Sequence, residues 1–305
     1  MIRKLKIWQI KWIDCVNLSK EEIEDILKDH DVHELDLEAC IELNQKARID
    51  NYDDYSFIIF HFPKYDKLKS HYELNEFNIF MWKDTLITFR NFPWTHINNI
   101  FDYYSNLKIT TRKKNIKVTT WYILYEITQA MLEKMFSVIK NITSDIKIVE
   151  SKVFDWNDST KLVKEIMIKK RNIITLKHIF KPQVLVLKQL ETVINNTYDW
   201  EIEVYFEDLE DKLDKIVNEI SILQEYIDSI EDAFKSMVDI KTNFVIKILT
   251  YFSAFMLPLT FITSFYWMNI DLSPYSNMKI IFFLFSISLT LMVFIYVFLR
   301  KSWRF

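Results

Sequence analysis

The chain has 305 residues, half of them hydrophobic, with 39 Lys and Arg against 42 Asp and Glu for a net charge of −3. That balance gives no reason to expect a nucleic-acid duplex as partner. Glycine is absent, which excludes phosphate-cradling loops of the GxGxxG or Walker type and leaves Asn and Asp as the residues expected in tight turns.

The opening MIRKLKIWQIKWIDC is too interrupted by Lys and Arg to be a signal-peptide core. Cys15 and Cys40 have neither disulfide-framework nor zinc spacing and read as reduced cytosolic thiols. Ser19 with Glu22 three residues on predicts a helix start. HELDLEAC, at 33–40, holds ligand-type residues but has no second cluster. His30, His33, His61, His71, His96 and His178 lack any HExxH or CxxC companion, so structural or solvated roles are expected for them. Short Ile- and Phe-rich runs at 55–62, 75–82 and 85–90, separated by Pro63, by KYDKLKSH and by KD, predict consecutive strands. Residues 1 to about 110 therefore read as α/β.

From about residue 119 the pattern becomes helical. Two long runs follow, the second with Pro182 as an expected kink. A third begins near Glu207 and meets no breaker until Pro258; helical through Met268, it would span about 62 residues, or roughly 90 Å. Charge is segregated along these runs. Residues 161–190 carry eight Lys and Arg against one acid, and residues 199–239 carry fourteen acids against three lysines. Either a basic helix packs beside an acidic one, or some of the carboxylates face hard cations, which take oxygen ligands. No Ser-His-Asp or Cys-His pairing is deducible, and no enzyme is expected.

Residues 280–299 form a twenty-residue run without a charge, the length that crosses a bilayer core. Residues 244–268 are apolar apart from Lys247. Only a short IDLSPYSNM joins the two, so they predict a transmembrane hairpin. Arg300, Lys301 and Arg304 follow the second run, Lys241 and Lys247 flank the first, and the loop has no cation before Lys279. The positive-inside bias puts both termini in the cytoplasm of an inner (plasma) membrane multi-pass protein. At 100° per residue, Asn243, Ile246, Thr250, Ser253, Leu257, Thr260 and Ser264 share one face of the first span, and five of the seven are small or polar. That stripe is either helix-packing glue or the lining of a water-filled path with Ile246 and Leu257 as constrictions. A single hairpin cannot enclose a pore, so the second reading demands a ring of subunits.

Asn243, Lys247-Ile-Leu-Thr250, Pro258-Leu-Thr260 and Tyr266-Trp267-Met268-Asn269 together resemble the CorA-type magnesium channels, as do WIDC, HELDLEAC and RIDNYDDYSFIIFHF near the N-terminus. The resemblance runs over nearly the whole chain. It implies an α+β cytoplasmic domain (1–115), long helices and a stalk (116–242), a pore-lining first span (243–269), an external loop (270–279), a second span (280–299) and a basic tail (300–305). It also implies a CorA-like homopentameric funnel in a lipid bilayer, moving divalent cations, with Mg2+ as transported or regulatory ion and no organic cofactor. Asn269 takes the family's polar ring at the outer mouth. Asp232 matches a stalk aspartate of an inter-subunit metal site, with Asp66 as a weakly supported partner. Trp267 stands where the family has glycine. It either anchors at the lipid interface, or has replaced the filter, or reflects the chain's bias against glycine. The resemblance carries a second function, a membrane effector beside a type III CRISPR system gated by a nucleotide second messenger. A third is a structural membrane oligomer without conduction.

Overall fold

The computed structural model describes residues 1–42, 45–106, 118–155, 159–197, 203–267 and 278–302. The chain divides into two compact units, Met1–Glu231 and Asp232–Phe305.

The first unit is built on a six-stranded sheet of β1 (Ile2–Ile7), β2 (Ile10–Val16), β3 (Arg48–Asn51), β4 (Tyr55–Asp66), β5 (His71–Trp82) and β6 (Thr85–Arg90), in the order β1-β2-β6-β5-β4-β3. β2 and β6 run parallel and every other pair is antiparallel. Tyr55–Phe62 are buried without a break because both faces of the sheet are covered. One face packs Ile13, Tyr55, Phe57, Ile59, Phe80 and Ile87 under α1 (Lys20–Leu27) and α2 (Glu34–Ile41). The other meets α3 (Thr95–Asn106), α4 (Thr120–Asp155), α5 (Ser159–Phe180) and α6 (Gln183–Thr197). Each fully buried Phe or Ile contributes about 1.5–3 kcal/mol, so this sheet carries the stability of the unit.

The expected capping box is present: Ser19 accepts from the Glu22 amide and Glu22 accepts from the Ser19 amide. Pro63 does not end β4, as the sequence suggested, but pairs with Leu74 inside it. β3 covers β4 only from Ser56 to Ile59, so Pro63 sits where the strand has a neighbour on one side, which a sheet tolerates. Pro182 breaks rather than kinks its helix. α5 ends at Phe180 and α6 begins at Gln183. Buried Gln183 pins this junction to the sheet, accepting from the His61 N–H (3.1 Å) and donating to the His61 carbonyl (2.8 Å). Among the described residues, positive φ occurs at Trp8 (53°), Asn17 (50°) and Ser70 (53°). Only Asn17 meets the expectation of Asn and Asp. Trp8 lies in the two-residue turn between Ile7 and Ile10, which a chain without glycine forms against the steric cost of a Cβ.

α7 (Glu203–Tyr266) is one 64-residue helix with Pro258 inside it, and α8 (Met278–Ser302) follows. In the first unit, the basic α5 packs beside the acidic part of α7. Lys170 bridges Asp228 (2.8 Å) and Glu231 (2.6 Å), and Lys177 donates to Gln224 (2.7 Å). Lys169 on the same helix reaches Asp145 of α4. Part of the segregated charge is therefore used in helix pairing.

Candidate ion pathway

α7 contains a stretch long and apolar enough to cross a membrane, with a mean hydropathy of 1.8 and only 6% of it buried. Pro258 in this stretch has no N–H for the Ala254 carbonyl, a loss that membrane helices accommodate. α8 is apolar over Met278–Phe294.

Within the second unit the two helices meet along one face of α7. Lys247, Tyr251, Ala254, Pro258 and Leu259 are half-buried and Ile262 is buried. The Tyr251 and Tyr296 rings meet edge to face at 6.2 Å. On α8 the covered positions recur every fourth residue at Ile280, Leu284, Ser288 and Met292.

The predicted stripe lies elsewhere. Asn243, Ile246, Thr250, Ser253, Leu257, Thr260 and Ser264 are all exposed. They are centred roughly 125° around the helix from the face that α8 covers, at 100° per residue. α8 therefore does not serve as the packing partner of the stripe. On the opposite apolar face Phe252, Phe255 and Met256 are exposed, while Leu259 is half-buried and Ile262 buried.

The stripe hydroxyls are oriented by the helix itself. Thr250 Oγ1 donates to the Ile246 carbonyl (2.8 Å) and Thr260 Oγ1 to the Met256 carbonyl (2.9 Å). A hydroxyl whose proton is held by the backbone offers its surroundings oxygen lone pairs. Lone pairs are what the outward-facing hydrogens of a hydrated cation require.

Trp267 follows the end of α7 and is 90% exposed. Its N–H is shared between the Thr263 (3.1 Å) and Ser264 (3.2 Å) carbonyls, a common way to close a last turn. It is not among the positive-φ residues, so its Cβ causes no strain there. Met268 and Asn269 lie outside the described residues.

Asp232 on α7 is exposed and pairs with Lys235 at 3.4 Å. Asp66 is committed to the β4–β5 turn, where it accepts from the Leu68 (2.8 Å) and Lys69 (3.1 Å) amides. These bonds hold its pKa below the usual carboxylate range. Among the described residues, no group of three or more His, Cys, Asp or Glu side chains within one chain is placed to hold a metal.

HELDLEAC is structural. His33 Nδ1 accepts the Leu35 amide as the cap of α2, and Asp36 accepts the Tyr55 hydroxyl at 2.8 Å. Cys15 and Cys40 are free, buried thiols. Burial pushes the Cys15 pKa up to about 12 and raises that of Cys40 as well, so both remain protonated. The His61 ring is buried, which lowers its pKa to about 4 and leaves it neutral.

Sequence reasoning missed a buried ionic centre that joins the ends of the sheet domain. Asp14 accepts from Arg90 (2.7 and 3.0 Å) and Arg3, and both arginines donate to Asn98 (2.7 Å). No local signal connects residues so far apart in the chain.

An α/β sheet domain is followed by long helices, one of which continues into an apolar stretch of membrane-spanning length striped with hydroxyls. The chain belongs to the CorA-like Mg2+ transporter protein family, which matches residues 8–301. It is 24% identical over 264 residues to the cobalt/magnesium transport protein CorA of Thermotoga maritima, covering 86% of this chain and 74% of that one. It is 22% identical over 302 residues to the cobalt/magnesium transport protein CorA of Methanocaldococcus jannaschii, covering 97% and 92%. The complete structure of the CorA magnesium transporter from Methanocaldococcus jannaschii shares the fold, with a TM-score of 0.80 at 20% identity over 98% of this chain and 93% of that one.

Proposed function

We propose that the chain assembles as a homopentameric channel for divalent cations, with magnesium as the principal ion. Five copies of α7 line the pore and α8 forms an outer ring. The observation that carries this reading is the hydroxyl-bearing stripe of α7, exposed on a face that α8 leaves uncovered. A polar stripe in a bilayer needs a partner, and copies of the same stripe around water supply one. Family membership and the cobalt/magnesium transport relatives support the same ion class.

Magnesium holds its water shell tightly, so the stripe is suited to passing the hydrated ion. Asn269 takes the outer ring, because Met268 offers only a weak sulfur acceptor. Trp267, exposed and unstrained, serves as an aromatic anchor at the membrane interface and leaves the filter to Asn269. Both termini are cytoplasmic and the loop at 270–279 is external. Asp232 contributes to a divalent site between subunits that stabilises the closed ring.

The test is a native mass measurement of the solubilised protein together with paired Mg2+ and Na+ flux in liposomes. A pentamer that passes Mg2+ in preference to Na+ is expected. A monomer or dimer, or equal flux of the two ions, refutes the reading.

A further inference from the structure

The first unit holds a half-open cavity of about 530 Å³ between β4 and β5, the segment after β6, α4 and α5. That volume is in the range of small-molecule sites. Its walls combine three chemistries. Phe62, Tyr65, Tyr72, Phe92 and Trp94 supply aromatic surface. Trp94 is fixed edge-on between Phe62 (5.9 Å) and Phe92 (5.8 Å). Met131, Met135 and Ile142 of α4 give an apolar floor.

The charge is lopsided. Lys64, Lys134 and Lys169 line the cavity against a single acid, Asp145. Lys169 is already paired with Asp145 at 2.5 Å. Among the described residues, Lys64 and Lys134 pair with no carboxylate, and the Lys64 ammonium rests 5.4 Å from the centre of the Phe92 ring. Two cations therefore remain uncompensated beside apolar and aromatic walls.

The walls are held in place. Trp94 is 6% exposed, so it is a fixed part of the aromatic wall. Asn172 of α5, itself buried, accepts the Tyr72 amide (3.2 Å) and donates to the Ser70 carbonyl (3.2 Å), tying the β4–β5 hairpin to the helix. Burial pushes the Tyr72 hydroxyl up to about 12, so it stays a neutral hydrogen-bonding group.

We infer that this cavity binds a small, flat aromatic anion. Its ring lies among the aromatic side chains, and its carboxylate or phosphate lies toward Lys64 and Lys134. The site is remote from the membrane stripe in sequence and chemistry, and makes the sheet domain a receptor for a soluble metabolite.

Calorimetric titration of the full-length protein in lipid nanodiscs tests this with four probes: indole-3-acetate, adenosine 5′-monophosphate, adenosine and inorganic phosphate. At least one of the two aromatic anions is expected to bind once per chain, and which of them binds identifies carboxylate or phosphate as the anion. Adenosine and phosphate, each holding half of the required chemistry, should bind at least about tenfold more weakly. Lys134→Ala, at an exposed position on α4, should weaken binding about tenfold. Lys64→Gln removes the second cation of the cavity and should weaken it to a similar degree, with the melting curve unchanged. No binding of either aromatic anion at about 5 mM overturns the inference. So does equal binding of adenosine, or binding that neither substitution alters. The readout is binding rather than flux, so failure of the transport reading leaves this test intact.

Discussion

Replacing Thr250 by valine isolates the hydroxyl oxygen of the α7 stripe. Valine keeps the shape and the β-branch, and Thr250 is exposed, so the chain's stability should change by no more than about 0.5 kcal/mol. What disappears is an oxygen whose proton is already committed to the Ile246 carbonyl at 2.8 Å and whose lone pairs remain available. In a pentameric ring, five such acceptors are lost at one level. A hydrogen bond contributes about 0.5–1.5 kcal/mol net. If two of the five contact the ion's water shell together, the barrier rises by about 1–3 kcal/mol, which slows Mg2+ entry roughly 5- to 150-fold. Thr290→Val on α8 is the matched control. Thr290 is also exposed and donates to its own helix, to Ser286 at 2.8 Å, but lies on the face of α8 away from α7. Dye-reported Mg2+ uptake into liposomes should fall for Thr250→Val and stay at the wild-type rate for Thr290→Val. Equal effects, or none from either, would refute the assignment of the stripe to the ion path.

Arg90→Met should destabilise the sheet domain by about 3–5 kcal/mol at neutral pH, because it leaves Asp14 buried with only the partly exposed Arg3. Burial alone would raise the Asp14 pKa, but its bonds and charge contacts with Arg90 and Arg3 outweigh it and hold the carboxyl below 3.8. The stabilisation is therefore complete above that value and is lost as pH falls through the lower folded-state pKa, so thermal melts of mutant and wild type should converge in acid. Asp232→Ala should leave the metal-free melting temperature nearly unchanged, since its pair with Lys235 is exposed, but should remove the rise produced by added Mg2+; an undiminished rise puts the site elsewhere. Asn269→Ala should abolish divalent flux with the pentamer intact, while Trp267→Gly should leave flux equal or higher, since it removes the bulk of the ring. Unchanged Mg2+ flux in Asn269→Ala liposomes would remove that residue from the filter.

The features legible in the sequence were those written in local patterns. Ser19 and Glu22 lie one helical turn apart, so their reciprocal cap could be read directly. β4, β5 and β6 are dense in Ile and Phe because both sheet faces are covered. β1 was missed because, as an edge strand, its IRKLKI mixes cations with apolar residues and half-buries only Arg3, Leu5 and Ile7, and so lacks the continuous apolar run of the inner strands. The stripe on α7 needed only a 100° projection.

The face of α7 that meets α8 was not legible for the opposite reason. Lys247, Tyr251, Ala254, Pro258 and Ile262 share helical spacing but no chemistry, and only the partner helix makes them a set. The same holds for Asp14 with Arg90, and for Trp94 with the lysines of the cavity, where the relation exists only after the sheet and helices have brought distant segments together. The absence of glycine shows both sides of this. It excludes phosphate loops of the GxGxxG and Walker types, and it puts Trp267 where the resemblance has glycine. The Trp267 N–H closes the last turn of α7, and the residue is not at positive φ. Glycine can be required at a position for backbone freedom or for room, and the letter alone does not say which. At Trp267 flexibility is not required, so any cost of the substitution must come from the bulk of the ring, and that is the property Trp267→Gly changes.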